Sequence, residues 1–154
     1  MYVTAISENA NELTTMIYAL HDDELVELTH LIDNKSESNN SIINVDNMII
    51  LDEDNIIYLK ENDVSQELIN YNISSKKEKK LLSLSTKNGK ISNLLFKNNI
   101  IYFLKNNVKE SSICALEIGK DHFQELGSGD LAFGNFILDN DYILFHGLPK
   151  IFIN

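Results

Sequence analysis

The stretch Asn47-Met-Ile-Ile-Leu-Asp-Glu-Asp-Asn-Ile-Ile-Tyr-Leu-Lys60 returns as Asn93-Leu-Leu-Phe-Lys-Asn-Asn-Ile-Ile-Tyr-Phe-Leu-Lys105, and again, shortened, as Asn135-Phe-Ile-Leu-Asp-Asn-Asp-Tyr-Ile-Leu-Phe-His146. Each copy joins two short runs of β-branched and aromatic residues through Asn, Asp or Lys, which is how a chain reverses into an antiparallel hairpin. The copies begin 46 and then 42 residues apart. A recurring interval of that size marks a repeat fold and carries no information about activity.

The agreement extends past the hairpins. After the first copy come the runs 67–73 and 80–84, and after the second the runs 112–118 and 122–126. Leu84 precedes Asn93 by the same interval by which Leu126 precedes Asn135. Between the units, Ser85-Thr-Lys-Asn-Gly-Lys90 and Gly127-Ser-Gly-Asp130 read as turns, because Asn-Gly and Gly readily supply positive φ. The expected fold is therefore all-β, built of repeated four-stranded antiparallel units, in one domain. Its segments are a partial unit over 1–32, a polar loop over 33–41, repeats over 47–90 and 91–130, and a partial third repeat over 131–154. Ile151-Phe-Ile153 reads as a last strand.

The N-terminal third admits two readings. Leu13, Met16, Ile17, Leu20, Leu28, Leu31 and Ile32 fall at helical spacing behind a possible cap at Asn11, which would make the chain α+β with a helix over 11–32. Alternatively 14–20 and 25–28 are strands joined at His21-Asp-Asp-Glu24. The four consecutive polar residues that interrupt the helical face, and the similarity of Ile17-Tyr-Ala-Leu and Leu25-Val-Glu-Leu28 to Ile113-Cys-Ala-Leu and Phe123-Gln-Glu-Leu126, favour strands.

At 154 residues, 44% hydrophobic and 23% charged, the chain is long enough to bury a core without staples. The net charge of -10 opposes direct contact with nucleic acid or an anionic membrane. The lysines of Ser75-Lys-Lys-Glu-Lys-Lys80 read as a solvated loop. The single cysteine, Cys114, lies in an alternating run and reads as a small buried hydrophobe. Neither a secretory leader nor a membrane-spanning run is visible, so the expected compartment is the cytoplasm.

A unit of four short strands with this cadence resembles one blade of a β-propeller, and is similar to the irregular propeller repeats of low-GC bacteria, which open on N-x-I-Y-Y and carry L-Y-x-I in the third strand. The resemblance covers 47–84, 93–126 and 135–145. It implies a ring, yet the chain supplies fewer than four whole units, so a composite blade, a second copy or an unclosed stack must complete it. An open strand edge would then invite self-association into a homo-oligomer.

No catalytic motif is present: there is no nucleophile elbow, metal-binding His pair or phosphate-cradling glycine loop, and no cofactor is implied. His21-Asp22-Asp23-Glu24 gathers oxygen ligands without a known cation spacing, and reads better as a polar turn. Asp52-x-Asp54 and Asp139-x-Asp141 match each other, but Lys97-Asn98-Asn99 replaces them in the middle repeat, which a turn accepts and a cation site does not. Tyr58, Tyr102 and Phe145 recur on the second strand of each unit, as core or as a contact platform. The function these features support is a non-catalytic protein-binding or scaffold module, with Tyr58, Tyr102, Phe145, Asp22, Asp23 and Glu24 as candidate contact residues. The alternative is a small acidic inhibitor, immunity or phage counter-defence protein that covers a basic partner surface.

Overall fold

The computed structural model describes residues 2–8, 12–34, 42–130, 135–139 and 142–146. Their regular structure is all strand, joined by turns and loops, apart from one 3-10 turn at Thr86–Asn88. β1 (Tyr2–Glu8), β2 (Glu12–His21) and β3 (Glu24–Asn34) make a three-stranded meander. β4 (Ile42–Ile50), β5 (Asn55–Glu61), β6 (Ser65–Asn72) and β7 (Lys77–Ser85) make a four-stranded one. β8 (Lys90–Lys97), β9 (Ile100–Asn106), β10 (Glu110–Glu117) and β11 (Gln124–Asp130) repeat it, and β12 (Asn135–Asp139) with β13 (Tyr142–His146) form a final hairpin. Every pairing is antiparallel between sequence neighbours. These are the first to fourth sheets below.

Of the two readings of the N-terminal third, the favoured strands form and the alternative helix over 11–32 does not: 12–34 is a hairpin whose strands are longer than the expected 14–20 and 25–28. Asp22 and Asp23 take φ of 48° and 64°, two consecutive left-handed residues that make a two-residue reversal and would break a helix. The β-branched and aromatic residues Thr14, Thr15, Ile17, Tyr18 and Thr29 then favour the extended state on either side. Asn98 and Asn99, at φ 53° and 64°, turn the β8–β9 hairpin in the same way.

The two four-stranded sheets agree at the level of individual bonds. In one, Asn62 Oδ1 accepts from the backbone of Val64 and Ser65 at 3.0 and 2.8 Å, and in the other Asn107 Oδ1 accepts from Lys109 and Glu110 at 2.9 Å each. Ile73 N–H donates to Asp54 O at 2.7 Å as Ile118 N–H donates to Asn99 O at 3.0 Å. The β2–β3, β6–β7 and β10–β11 pairs each carry one bulge, between Ile17 and Tyr18, Leu68 and Ile69, and Ile113 and Cys114. The extra residue on the facing strand is Leu28, Leu81 and Leu126 respectively. The first sheet thus corresponds to the second, third and fourth strands of the others, and the final hairpin to the first and second.

Among the described residues three cores lie between the sheets rather than within them. Ile17 and Leu31 of the first sheet meet Ile43, Ile56, Tyr58, Ile69 and Tyr71 of the second. From its opposite face, Ile57, Leu59, Leu68, Leu82 and Leu84 meet Ile91, Leu94, Ile101, Phe103, Cys114 and Leu116 of the third. Leu104 and Ile113 then meet Phe136, with Leu95, Tyr102, Leu138 and Ile143 packed around them.

Two turn expectations are corrected. Gly127-Ser-Gly-Asp130 completes β11 as an edge strand opposite Glu110–Ile113, because ladder bonds to β10 outweigh the freedom of glycine. Lys77, Lys79 and Lys80 lie in β7, exposed on the outermost strand, and only Lys76 belongs to the turn. Lysines there discourage an edge from pairing with another chain. Residues 33 and 34 likewise belong to β3, while 35–41 and the expected strand 151–153 lie outside the described residues.

Candidate functional site

The residues singled out in the sequence are not brought together. Tyr58 is fully buried, facing the first sheet, with its hydroxyl donating to Glu78 Oε1 at 2.6 Å. It has no surface to offer a partner. Tyr102 is half-buried and faces the fourth sheet instead. Burial reveals a slip in the expected alignment: Tyr58 and Phe103, not Tyr102, face the preceding sheet in their units. A shift of one position carries a strand side chain to the opposite face. Phe145 pairs in register with Phe136, and its side chain is outside the described residues.

Asp22 and Asp23 form the β2–β3 reversal and Glu24 opens β3, all exposed. Among the described residues no three His, Cys, Asp or Glu side chains gather into a metal-binding group. Asp52 Oδ1 accepts from Asp54 N–H at 2.8 Å and from Asn55 Nδ2 at 2.9 Å, and Asp54 accepts from Ser74 Oγ. Those hydrogen bonds, the Asn55 side chain first, hold the Asp52 carboxyl below its ordinary value. The carboxylates of this turn are engaged in forming it.

Two clefts lie among the described residues instead. The first, of about 440 Å³, lies between the first two sheets over an apolar floor that includes Leu31, Ile43 and Tyr71. Thr29 Oγ1 and Tyr71 Oη approach to 3.4 Å in it, and His30 Nδ1 lies 3.1 Å from Glu27 Oε1 at its rim. Glu78, on the other wall, takes the Tyr58 hydroxyl and lies 3.6 Å from Lys60 Nζ. Donors and carboxylates here mostly satisfy one another.

The second cleft, of about 670 Å³, opens between the β7–β8 connection and the β9–β10 loop. Leu84 and Phe123 line it together with Lys87, Lys105, Val108 and Lys109. Lys105 pairs with Glu125 and lies 5.6 Å from the Phe123 ring centre. Lys87 and Lys109 form no ion pair among the described residues. In a chain of net charge -10 this is a local reversal of sign.

The loops beside it are stiff. Thr86 N–H donates to Val64 O at 3.0 Å and its Oγ1 donates to Asp63 O at 3.0 Å, pinning the β7–β8 connection to the β5–β6 loop. On these Asn-centred turns Val64 is 67% exposed and Val108 is 89% exposed. The sequence held a trace of this pairing, since Asn62 and Asn107 occupy one place in the two repeats, but which hydrophobes project to solvent depends on register.

No family model matches the chain, and a comparison with curated proteins found no match. Among the described residues no helix is long and apolar enough to cross a membrane.

Proposed function

We propose that the chain is a non-catalytic protein-binding module with its sheets arranged in β-propeller fashion, and that the partner is engaged at the end carrying the β5–β6, β7–β8 and β9–β10 connections. One observation carries the reading: two exposed valines, Val64 and Val108, ride on equivalent rigid turns beside Lys87 and Lys109, which form no ion pair among the described residues. Exposed hydrophobes on pre-ordered loops reduce the entropy cost of binding, and neighbouring lysines suit carboxylates on the partner. The propeller arrangement is supported by the repeated sheet order and by the contacts of β8 with both β4 and β12, the opening strands of their units.

The test is a photo-crosslinking residue placed at Val108, compared with one at Glu53 in the β4–β5 turn at the opposite end. A partner labelled from Val108, and lost with Val64→Asp or Lys109→Glu, supports the assignment; equal labelling from both ends removes it.

The acidic-inhibitor reading keeps one supporting observation. In a meander the β2–β3 and β4–β5 turns fall at the end away from Val64 and Val108, which places Asp22, Asp23, Glu24, Asp52, Glu53 and Asp54 there. A basic partner bound through that end would be released by salt and by Asp22→Asn with Asp23→Asn, and would be indifferent to Val108.

A further inference from the structure

The three internal junctions are built alike, and the two outermost sheet faces are the halves of a fourth. In the second sheet Tyr58 and Ile69 are register partners facing the sheet before, and in the third Phe103 and Cys114 are the corresponding pair. In the first sheet the equivalent partners are Val3 and Tyr18, since Tyr18 follows the bulge as Ile69 and Cys114 do. Among the described residues no sheet lies against them. Val3, Met16 and Tyr18 stand on this face with Leu25, 56% exposed, and Ile32, 50% exposed, which also edges the first cleft.

At the other end, Ile49 and Leu95 face the sheet that follows, in the cores shared with the third and fourth sheets respectively. Ile137 takes that position in the last hairpin, two residues after Asn135 as Leu95 follows Asn93, and is 58% exposed. Tyr142, register partner of Asp139, shares this face and is 70% exposed. Phe136, Leu138 and Ile143 point the other way, into the shared core.

We infer that a second copy of this chain occupies these faces, the last hairpin of one copy packing on the first sheet of the next, head to tail. The contact continues the geometry already used three times within the chain: a following-sheet face of aliphatic residues on a preceding-sheet face centred on the second and third strands. Because the two surfaces differ, the association is heterologous and generates a closed ring if the rotation permits, or an open stack otherwise. It uses sheet faces, whereas the partner surface proposed above uses loops, so either can fail without the other.

The experiment pairs two variants of the full chain, Val3→Glu with Ile32→Glu on the first sheet and Ile137→Glu with Tyr142→Glu on the last hairpin, studied by sedimentation over a wide concentration range. The wild-type chain is expected to associate with rising concentration. Each variant alone is expected to associate at least about 10-fold more weakly, since every contact then includes a disabled face. Mixed together, the variants retain one intact face of each kind and should form a one-to-one dimer and nothing larger. Raising salt should strengthen wild-type association by screening the repulsion between acidic copies.

A wild-type chain that stays monomeric, a mixture that forms no dimer, or a last-hairpin variant that still associates through two copies of the first sheet would each overturn the inference. Unchanged far-ultraviolet circular dichroism establishes that the variants are folded. Ile32→Gln alone, at an exposed position, gives the same comparison with less disturbance.

Discussion

The backbone N–H of Asn93 donates to Oδ1 of Asn47 at 2.6 Å, so the same residue in two successive repeats forms a hydrogen bond that joins them. Asn93 takes a left-handed φ of 54°, and its own Nδ2 reaches Phe136 O at 3.5 Å in the next unit. Asn47→Ala leaves the Asn93 N–H without that acceptor at a nearly closed site, and is expected to cost about 1–3 kcal/mol in urea unfolding. Asn93→Gly should be milder than Asn93→Val, because only the glycine adopts the left-handed conformation freely.

The correspondence of Tyr58 with Phe103 predicts a pattern of truncation costs. Tyr58→Ala and Phe103→Ala each empty a fully buried site and should cost about 3–5 kcal/mol. Tyr102→Ala, at a half-buried position, should cost visibly less. Were Tyr102 the costly tyrosine in equilibrium denaturation and Phe103 the cheap residue, the face assignment would be reversed.

Cys114 is fully buried, and burial, followed by the charge of Glu125 and partly offset by Lys105, pushes its thiol up to about 12. In the folded protein at pH 8 it should resist a disulfide exchange reagent, and it should react once denaturant opens the chain. The unfolded thiol ionises from its ordinary 9.0 upward while the folded one stays protonated until about 12. Its contribution is therefore intact below pH 9 and is lost as pH rises through that interval, by at most about 1.4 kcal/mol per pH unit. Comparing the alkaline stability slope of wild type with Cys114→Ala isolates this: the variant should fall less steeply.

Gln66 provides another polar link between units. Its buried amide accepts from Ile91 N–H at 2.5 Å, while Nε2 lies 3.1 Å from Glu61 Oε2 and 3.5 Å from Ile91 O. Gln66→Leu should cost about 1–3 kcal/mol. Hydrogen exchange should show the Ile91 amide losing protection more than the amides of β5 and β6. A uniform loss across the sheet would mean that the amide fills space and does not specifically secure β8.

Much of the architecture is legible in the sequence because its punctuation is local. Asn98-Asn99 and Asp22-Asp23 encode two-residue reversals, and the runs beside them are rich in β-branched residues. What local chemistry leaves open is which face each strand presents. Ile-Ile-Tyr occurs in β5 and again in β9, its tyrosines 44 residues apart, yet the hydrogen-bonded turns match Asp54 with Asn99 and Asn62 with Asn107, 45 apart, so the matched tyrosines sit one position out of step and point to different neighbours. Gly127-Ser-Gly looked like a turn because glycine permits one, but pairing with β10 is a long-range fact. The candidate contacts fared similarly. Buried Tyr58 and half-buried Tyr102 both close an Ile-Ile-Tyr run, and only the assembled sheets distinguish them.

Ile56 and Ile57 are adjacent in β5, yet one belongs to the core shared with the first sheet and the other to the core shared with the third. Each sheet is thus a party wall: it closes two rooms and owns neither. Excising a unit would strip the lining from both neighbours, so truncations should propagate loss of order inward from the cut, as in a linear array governed by nearest-neighbour coupling. The same construction favours growth by duplication, since an inserted unit would meet familiar surfaces on either side.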